Sequence, residues 1–329
     1  MNRPHLPSRL LVAVLALAVL AAACASDEAD PASSSEESAD PAADESSSPE
    51  LASSEACFAD PGLEPLLADD IERASLEGSD LTLLAYDSFV VSDGVFDEFE
   101  AETGISVTVL TSADTGTMVS EAVLTAGDPV ADVMWGIDNT FLCRGLEAGI
   151  FDPYESRNLG SVPLELQLDP YSRVTPVDFS DMCVNYWIDA IEGPPPSSLT
   201  DLASPEYATE FVTQNPETSA PGMGLLLATI AEFGVNGWEQ YWQDLSTNGV
   251  GVTPGWSEAY YGEFIAGGGD RAIVMSYASS PVAELLFADP PVDTPPTASF
   301  TDSCFRSVEF AGILRGSDNP LGAALLVDF

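Results

Sequence analysis

The chain contains no lysine, and its single histidine, His5, lies among the first ten residues. These absences exclude Ser–His and Cys–His nucleophile pairs, Schiff-base lysines, the phosphate-binding lysine of a P-loop, and metal centres ligated by histidine. No two cysteines have the C-x-x-C spacing, so a structural zinc site is not expected either. Carboxylates remain as candidate catalysts, but among 54 acidic residues a carboxylate pair carries no information. We therefore expect no catalytic residue, no metal and no cofactor.

Basic residues of any kind are scarce. The nine that occur are all arginines, and they leave a formal net charge of −45. Such a charge repels nucleic acids and anionic membrane surfaces, so neither is expected as an electrostatic partner. The aromatic residues and acids that remain would suit a flat, positively charged ligand, because ring faces attract cations and carboxylates pair with them.

Residues 1–24 have the pattern of a secretion signal. Arg3 and Arg9 provide a positive start, and an apolar run too short to span a bilayer leads to three alanines and Cys24. A cysteine directly after small residues resembles the lipobox of bacterial lipoproteins, although Ala21 replaces the usual leucine or valine. The sequence thus predicts lipidation at Cys24, and the alternative is a plain cleaved signal with an incidental cysteine.

The next segment, residues 25–56, consists mainly of Ser, Ala, Pro, Asp and Glu, without a basic or aromatic residue. It is predicted to be a disordered acidic tether, because it cannot bury enough apolar surface to offset chain entropy. The folded part is expected to span residues 57–329. Its four cysteines are an even number in an exported chain and predict two disulfides, with three pairings open. They are Cys57, Cys143, Cys183 and Cys304.

Strand and helix patterns alternate in the folded part. Three short apolar or β-branched runs are predicted as strands, and helical patterns separate them. The runs are 81–86, 105–110 and 131–137. This alternation predicts an α/β fold with a parallel, doubly wound sheet, which binds ligands at the carboxyl ends of its strands. Tyr86, Asp114 and Asp138 follow those ends.

Five sequence blocks together resemble the thiamine-binding lipoproteins of bacterial ABC importers. They are residues 85–89, 131–139, 215–227, 254–260 and 275–281. The resemblance implies a two-lobed type II periplasmic-binding-protein fold, with doubly wound sheets and a hinge between the lobes. The first lobe would comprise about 79–176 and 282–329, and the second about 177–281. The implied protein is a lipid-anchored monomer that delivers thiamine, thiamine phosphate or thiamine pyrophosphate to importer membrane subunits.

The same resemblance implies a set of ligand-binding residues. The residues are Tyr86, Asp114, Gly116, Asp138, Ser219, Trp256 and Tyr277. The three aromatic residues would stack on the ligand, and Ser219, with the free amides of the next helix, would hold a phosphate. The alternatives are structural: the aromatic residues as core, Ser219 as a helix N-cap, and Asp138 as a cap of the following helix.

The sequence departs from the family pattern in three ways. Thr115 is inserted between Asp114 and Gly116, and Ala283 occupies the position of a further family tyrosine. Relatives also continue beyond Phe329, so the resemblance implies that C-terminal helices are missing. A helix starting at Pro320 is predicted to end the chain, with Asn319 as its cap.

Other functions remain open. Tyr260 and Tyr261 are adjacent, as in ferric-ion binders of the same superfamily, and their oxygens would suit Fe³⁺. A polyamine binder would also use aromatic rings and acids. A hydrolase based on carboxylates is the alternative from a different class.

Overall fold

The computed structural model describes residues 54–67, 71, 76 and 78–329. The predicted signal peptide, the predicted lipidation site Cys24 and nearly all of the predicted tether lie outside these residues. The described part forms one compact unit. Within it, every helix is too short or too polar to cross a bilayer.

Eleven strands occur in the described residues. They are β1 (Leu66–Leu67), β2 (Asp80–Ala85), β3 (Ser106–Thr111), β4 (Val133–Asp138), β5 (Phe151–Asp152), β6 (Tyr154–Glu155), β7 (Thr175–Trp187), β8 (Phe211–Gln214), β9 (Gly251–Thr253), β10 (Ile273–Tyr277) and β11 (Thr297–Leu314). The three strands predicted at 81–86, 105–110 and 131–137 are confirmed to within two residues at each end.

Eleven α-helical segments accompany them. They are α1 (Ser54–Cys57), α2 (Val95–Thr103), α3 (Thr115–Leu124), α4 (Leu142–Ala148), α5 (Leu199–Leu202), α6 (Pro205–Ala208), α7 (Ala220–Phe233), α8 (Trp238–Thr247), α9 (Trp256–Glu258), α10 (Ser280–Leu286) and α11 (Pro320–Asp328). A π-helical turn, Ala259–Glu263, continues α9, and 3₁₀ turns lie at Leu159–Ser161, Leu164–Leu166, Ile188–Ala190 and Ile265–Gly267. The cap predicted for the last helix is confirmed, since the Asn319 side chain accepts a hydrogen bond from the Gly322 amide.

Eight of these strands form a mixed sheet in the order β3-β2-β4-β11-β7-β10-β8-β9, to which β5 adds beside β11, and β1 and β6 form a separate pair. Two groups are parallel, as the alternation of strands and helices predicts: β2 with β3 and β4, and β8 with β9 and β10. We call the first group, with helices α2–α4 and α11, the first lobe. The second group, with helices α5–α10, is the second lobe.

Two long antiparallel strands connect the lobes. Strand β7 has thirteen residues and β11 has eighteen, and they pair with each other along most of their length. Their register shifts twice, between Phe300 and Phe305 and between Glu309 and Phe310. Such bulges bend a strand. We call β7 and β11 the crossing strands. Because both strands contribute to both lobes, the lobe boundaries predicted from the sequence stay a prediction.

Each lobe buries its sheet beneath helices. In the first lobe, Leu81 and Leu83 of β2 pack with Phe99 of α2 and with residues 323–326 of α11, all of them buried. Burying one such large apolar side chain contributes about 1.5–3 kcal/mol. Strand β4, which lies between β2 and β11, is buried, with Met134 and Ile137 fully inaccessible.

The prediction of two disulfides is confirmed. Cys57 pairs with Cys143, which joins the start of the described chain to α4. Cys183 pairs with Cys304, which joins β7 to β11 at the first register shift. The second bridge therefore fixes the two crossing strands to each other where β7 pairs with β10 of the second lobe.

Candidate functional site

A cavity of about 570 Å³ lies where the lobes and the crossing strands meet. Its walls come from both lobes. The lining residues are Tyr86, Asp87, Ser88, Val90, Asp178, Phe179, Ser180, Trp256, Ser257, Tyr261, Tyr277, Ser279, Ser280, Ala283 and Glu309. Five of these residues are aromatic, three are acidic and none is basic. The cavity is thus aromatic and negatively charged.

Tyr86 enters the cavity from the end of β2. Its ring lies directly over Gly136 of β4, where an added Cβ would stand 2.3 Å from a ring carbon. Gly136 also has a φ of 95°, a conformation that glycine adopts without strain. The Tyr86 hydroxyl donates a hydrogen bond of 3.1 Å to Glu309 Oε2. Packing below and a hydrogen bond at the tip therefore fix the ring at the cavity wall.

Trp256 enters from the second lobe, at the start of α9. Its ring stacks on Tyr260 at 4.8 Å between centroids and an interplanar angle of 21°, and its Nε1 donates to Ser276 Oγ at 2.9 Å. Tyr277 lies 6.1 Å from it and Tyr261 5.3 Å. These four residues form what we call the aromatic cluster. The cluster holds the indole in one orientation beside the cavity.

Asp114 joins the lobes instead of lining the cavity. One carboxylate oxygen accepts from the Thr115 amide at 2.6 Å, and the other accepts from the Trp256 amide at 2.8 Å. Burial raises the pKa of Asp114, against the opposing effect of the nearby Ser219 hydroxyl and of the hydrogen bonds from both amides. A helix N-terminus stabilises the carboxylate, because unpaired amides point toward it.

Gly116 lies at the same junction. A Cβ there would stand 2.6 Å from the Glu217 carbonyl oxygen, so glycine permits α3 to approach the second lobe. The Thr117 amide donates to the Thr218 carbonyl at 3.2 Å. We call this bond, together with that from the Trp256 amide to Asp114, the interlobe contact.

Ser219 and Asp138 are also buried away from the cavity lining. Ser219 precedes α7 without capping it through its side chain, and its hydroxyl lies beside Asp114. Asp138 accepts from Thr140 Oγ1 at 2.7 Å and from Ser307 Oγ at 3.3 Å, and burial raises its pKa to about 6. The structure thus brings Tyr86, Trp256 and Tyr277 to the cavity and places the other four predicted residues behind it. Their roles in binding stay predictions.

Comparison with known proteins identifies the family. The model of the bacterial extracellular solute-binding proteins matches residues 128–326. The chain belongs to this family. Thiamine-binding periplasmic proteins of Brucella abortus and Escherichia coli are each 30% identical to it. The first match covers 75% of this chain and 72% of the relative, and the second 76% and 75%.

Solved structures give the same result for this solute-binding protein. A periplasmic thiamin binding protein is 28% identical, with a TM-score of 0.63 over 76% of this chain and 77% of the other. Iron-bound HitA from Pseudomonas aeruginosa, 19% identical, has the same TM-score over 76% and 80% and so shares the fold. The expected two-lobed type II periplasmic-binding fold is confirmed.

Some cavity residues of the solute-binding protein were not found from the sequence. Glu309 and Asp178 lie opposite each other on the crossing strands. Burial raises the pKa of Glu309 to about 8, with Asp178 and Asp138 adding to the shift. No sequence signal distinguishes Glu309 from the other acids. Ala283 also lines the cavity, where it presents a methyl group to the ligand space.

Proposed function

We propose that this solute-binding protein captures thiamine outside the cytoplasm and presents it to the membrane subunits of an ABC importer. The observation that carries the proposal is the cavity between the lobes, with five aromatic residues, three acids and no base. The relatives that are 30% identical to this chain are named for thiamine binding. The protein acts as a carrier and not as an enzyme.

Thiamine fits the chemistry of the cavity. Its thiazolium ring is a permanent cation, and its aminopyrimidine ring is flat and carries an exocyclic amine. Ring faces such as those of Tyr86, Trp256 and Tyr277 attract a cation and stack on flat rings, which is worth about 0.5–2 kcal/mol for each contact. Carboxylates accept from the amine. A cavity that lacks positive charge favours this ligand over anionic solutes.

Free thiamine suits the lining better than its phosphates. The amides before α7 and Ser219, the groups expected to hold a phosphate, lie behind the interlobe contact and outside the cavity lining. A phosphate would have to displace the Asp114 carboxylate from the Trp256 amide to reach them. Free thiamine requires no such displacement, so we propose it as the preferred form.

Binding would close the lobes. Ligand contacts come from Tyr86 in the first lobe and from Trp256 and Tyr277 in the second, so a bound ligand bridges the lobes and favours the closed arrangement. The interlobe contact stabilises the same arrangement. The closed form would be the form that the importer recognises.

A titration panel tests the proposed ligand. Intrinsic fluorescence is followed while thiamine, thiamine pyrophosphate, spermidine or ferric citrate is added. We expect saturable binding of thiamine, weaker binding of the pyrophosphate, and no binding of the other two. The ferric alternative requires free tyrosinate oxygens, yet the Tyr260 hydroxyl donates to Glu284 at 2.7 Å. Saturation by ferric citrate or spermidine without thiamine binding would replace the proposal with the respective alternative.

We propose further that the protein is anchored by lipid at Cys24. Support comes from the apolar run and three alanines before this cysteine. Mass spectrometry of protein extracted from membranes should find a lipidated N-terminal cysteine. An intact signal peptide or a free Cys24 thiol would contradict this.

A further inference from the structure

Glu309 is a buried carboxylate without a counter-ion. It is 8% exposed and lines the cavity from the middle of β11. Its hydrogen-bond partner among the described residues is the neutral Tyr86 hydroxyl. The nearest arginine on its own strand, Arg306, pairs with Asp181 at 2.6 Å. An ionised carboxylate buried in this way is costly unless a cation pairs with it.

The groups around Glu309 increase this cost. Those that face it lie on or directly beside β2, α3, β4, β7 and β10, and each is an acid or a tyrosine. They are Tyr86, Asp114, Asp138, Asp178 and Tyr277. None can supply positive charge. The ionised form of Glu309 therefore becomes favourable only when a cation enters the cavity.

We infer that Glu309 is the counter-ion of the ligand's positive charge, and that cation binding releases the proton that Glu309 carries in the ligand-free protein. This inference rests on the proposed function, which supplies the ligand, and it adds that Glu309 is the residue that selects a positively charged ligand. With its raised pKa of about 8, Glu309 is mostly protonated at neutral pH. A permanent cation against it favours the ionised form. Binding should therefore strengthen as the pH rises toward 8.

Proton release tests the inference on the unmodified protein. Thiamine binding is measured by calorimetry at pH 7 in two buffers that differ in ionisation enthalpy, which gives the number of protons exchanged. Because Glu309 has a raised pKa of about 8 in the free protein and ionises on binding, we expect release of most of one proton per thiamine bound. We also expect about a fivefold rise in affinity between pH 7 and 8, since the protonated fraction falls from roughly nine-tenths to one-half.

A variant separates charge from packing. Glu309→Gln keeps the size and an acceptor for Tyr86, and we expect it to bind thiamine about 10–100-fold more weakly with no proton release. Glu121→Gln is the matched control: it removes the same charge from α3, where Glu121 accepts from Ser112 outside the cavity. The control should bind and release protons as the unmodified protein does.

The outcomes distinguish the two proposals. If the unmodified protein binds thiamine but releases no proton, and its affinity does not change with pH, the role of Glu309 is wrong and thiamine capture stands. Equal loss of affinity in Glu309→Gln and Glu121→Gln would also overturn that role, because net charge would then explain both. If thiamine does not bind at all, the proposed function fails and the inference fails with it.

Discussion

Replacing Trp256 by alanine is the sharpest test of the aromatic cluster. The indole lines the cavity with one face supported by Tyr260 and its Nε1 held by Ser276. Its removal deletes one stacking and cation–π contact with the ligand, worth about 1–3 kcal/mol. At 25 °C this corresponds to a Kd raised roughly 5–150-fold. Ser276 keeps a hydroxyl partner in Ser280 at 2.8 Å, so no buried polar group loses its last bond.

A second tryptophan provides the control. Trp242 is also half-buried, donates its Nε1 to a hydroxyl, that of Thr229, at 2.9 Å, and packs against Tyr241 outside the cavity. Trp242→Ala should therefore lower the free energy of unfolding by about 2 kcal/mol, as Trp256→Ala should, but leave the Kd for thiamine unchanged. Affinities come from titration with thiamine, and unfolding from urea denaturation. A folded Trp256→Ala that binds like the unmodified protein would show that Trp256 is a core residue.

Three further predictions concern stability. Gly136→Ala should lower the free energy of unfolding by about 2–4 kcal/mol and weaken thiamine binding, because the added Cβ would clash with the Tyr86 ring. Gly127→Ala is the control, since Gly127 has a similar φ of 86° but no neighbour within 4 Å, so it measures the cost of the backbone conformation alone. Equal losses of stability in the two variants would refute the clash. Because the pKa of Glu309 rises from 4.5 to about 8, the folded state holds a proton that the unfolded chain loses. Its contribution to stability is complete below pH 4.5 and is lost as the pH rises through 8. This loss, on the order of 5 kcal/mol, should vanish in Glu309→Gln, and parallel stability–pH curves of the two proteins would disprove it. Replacing Cys183 and Cys304 together by serine should lower the free energy of unfolding by about 2–4 kcal/mol, and an unchanged urea midpoint would contradict this.

Local sequence patterns predict much of the fold. Strands β2, β3 and β4 of the first lobe and the helices between them follow from apolar periodicity, and the Asn319–Pro320 start of α11 follows from capping. The crossing strands were not predicted. Strand β11 contains the polar run Thr301–Asp302–Ser303 at its register shift, and β7 carries acids at positions 178 and 181, so neither reads as one apolar strand. Their pairing spans more than a hundred residues, and no local pattern specifies such a contact.

The site was predictable only in part. The aromatic residues Tyr86, Trp256 and Tyr277 were identified because their sequence blocks resemble the family, and they line the cavity. Asp114 and Gly116 were identified from the same resemblance, but they lie where α3 meets the second lobe and do not line the cavity. Their position depends on how the two lobes pack together, which the sequence does not show. Glu309 was missed because its importance comes from burial without a cation, which sequence alone does not show.

The pairing of the cysteines also makes the lobes accessible to optical measurement. All four cysteines in the described part of the chain are in disulfides, so an introduced cysteine is the only thiol there that a maleimide dye can modify. Leu124, at the end of α3, and Phe287, just after α10, are 86% and 84% exposed and belong to different lobes. A donor and an acceptor dye at these two positions would follow the distance between the lobes in single molecules, and so report each capture event as it happens.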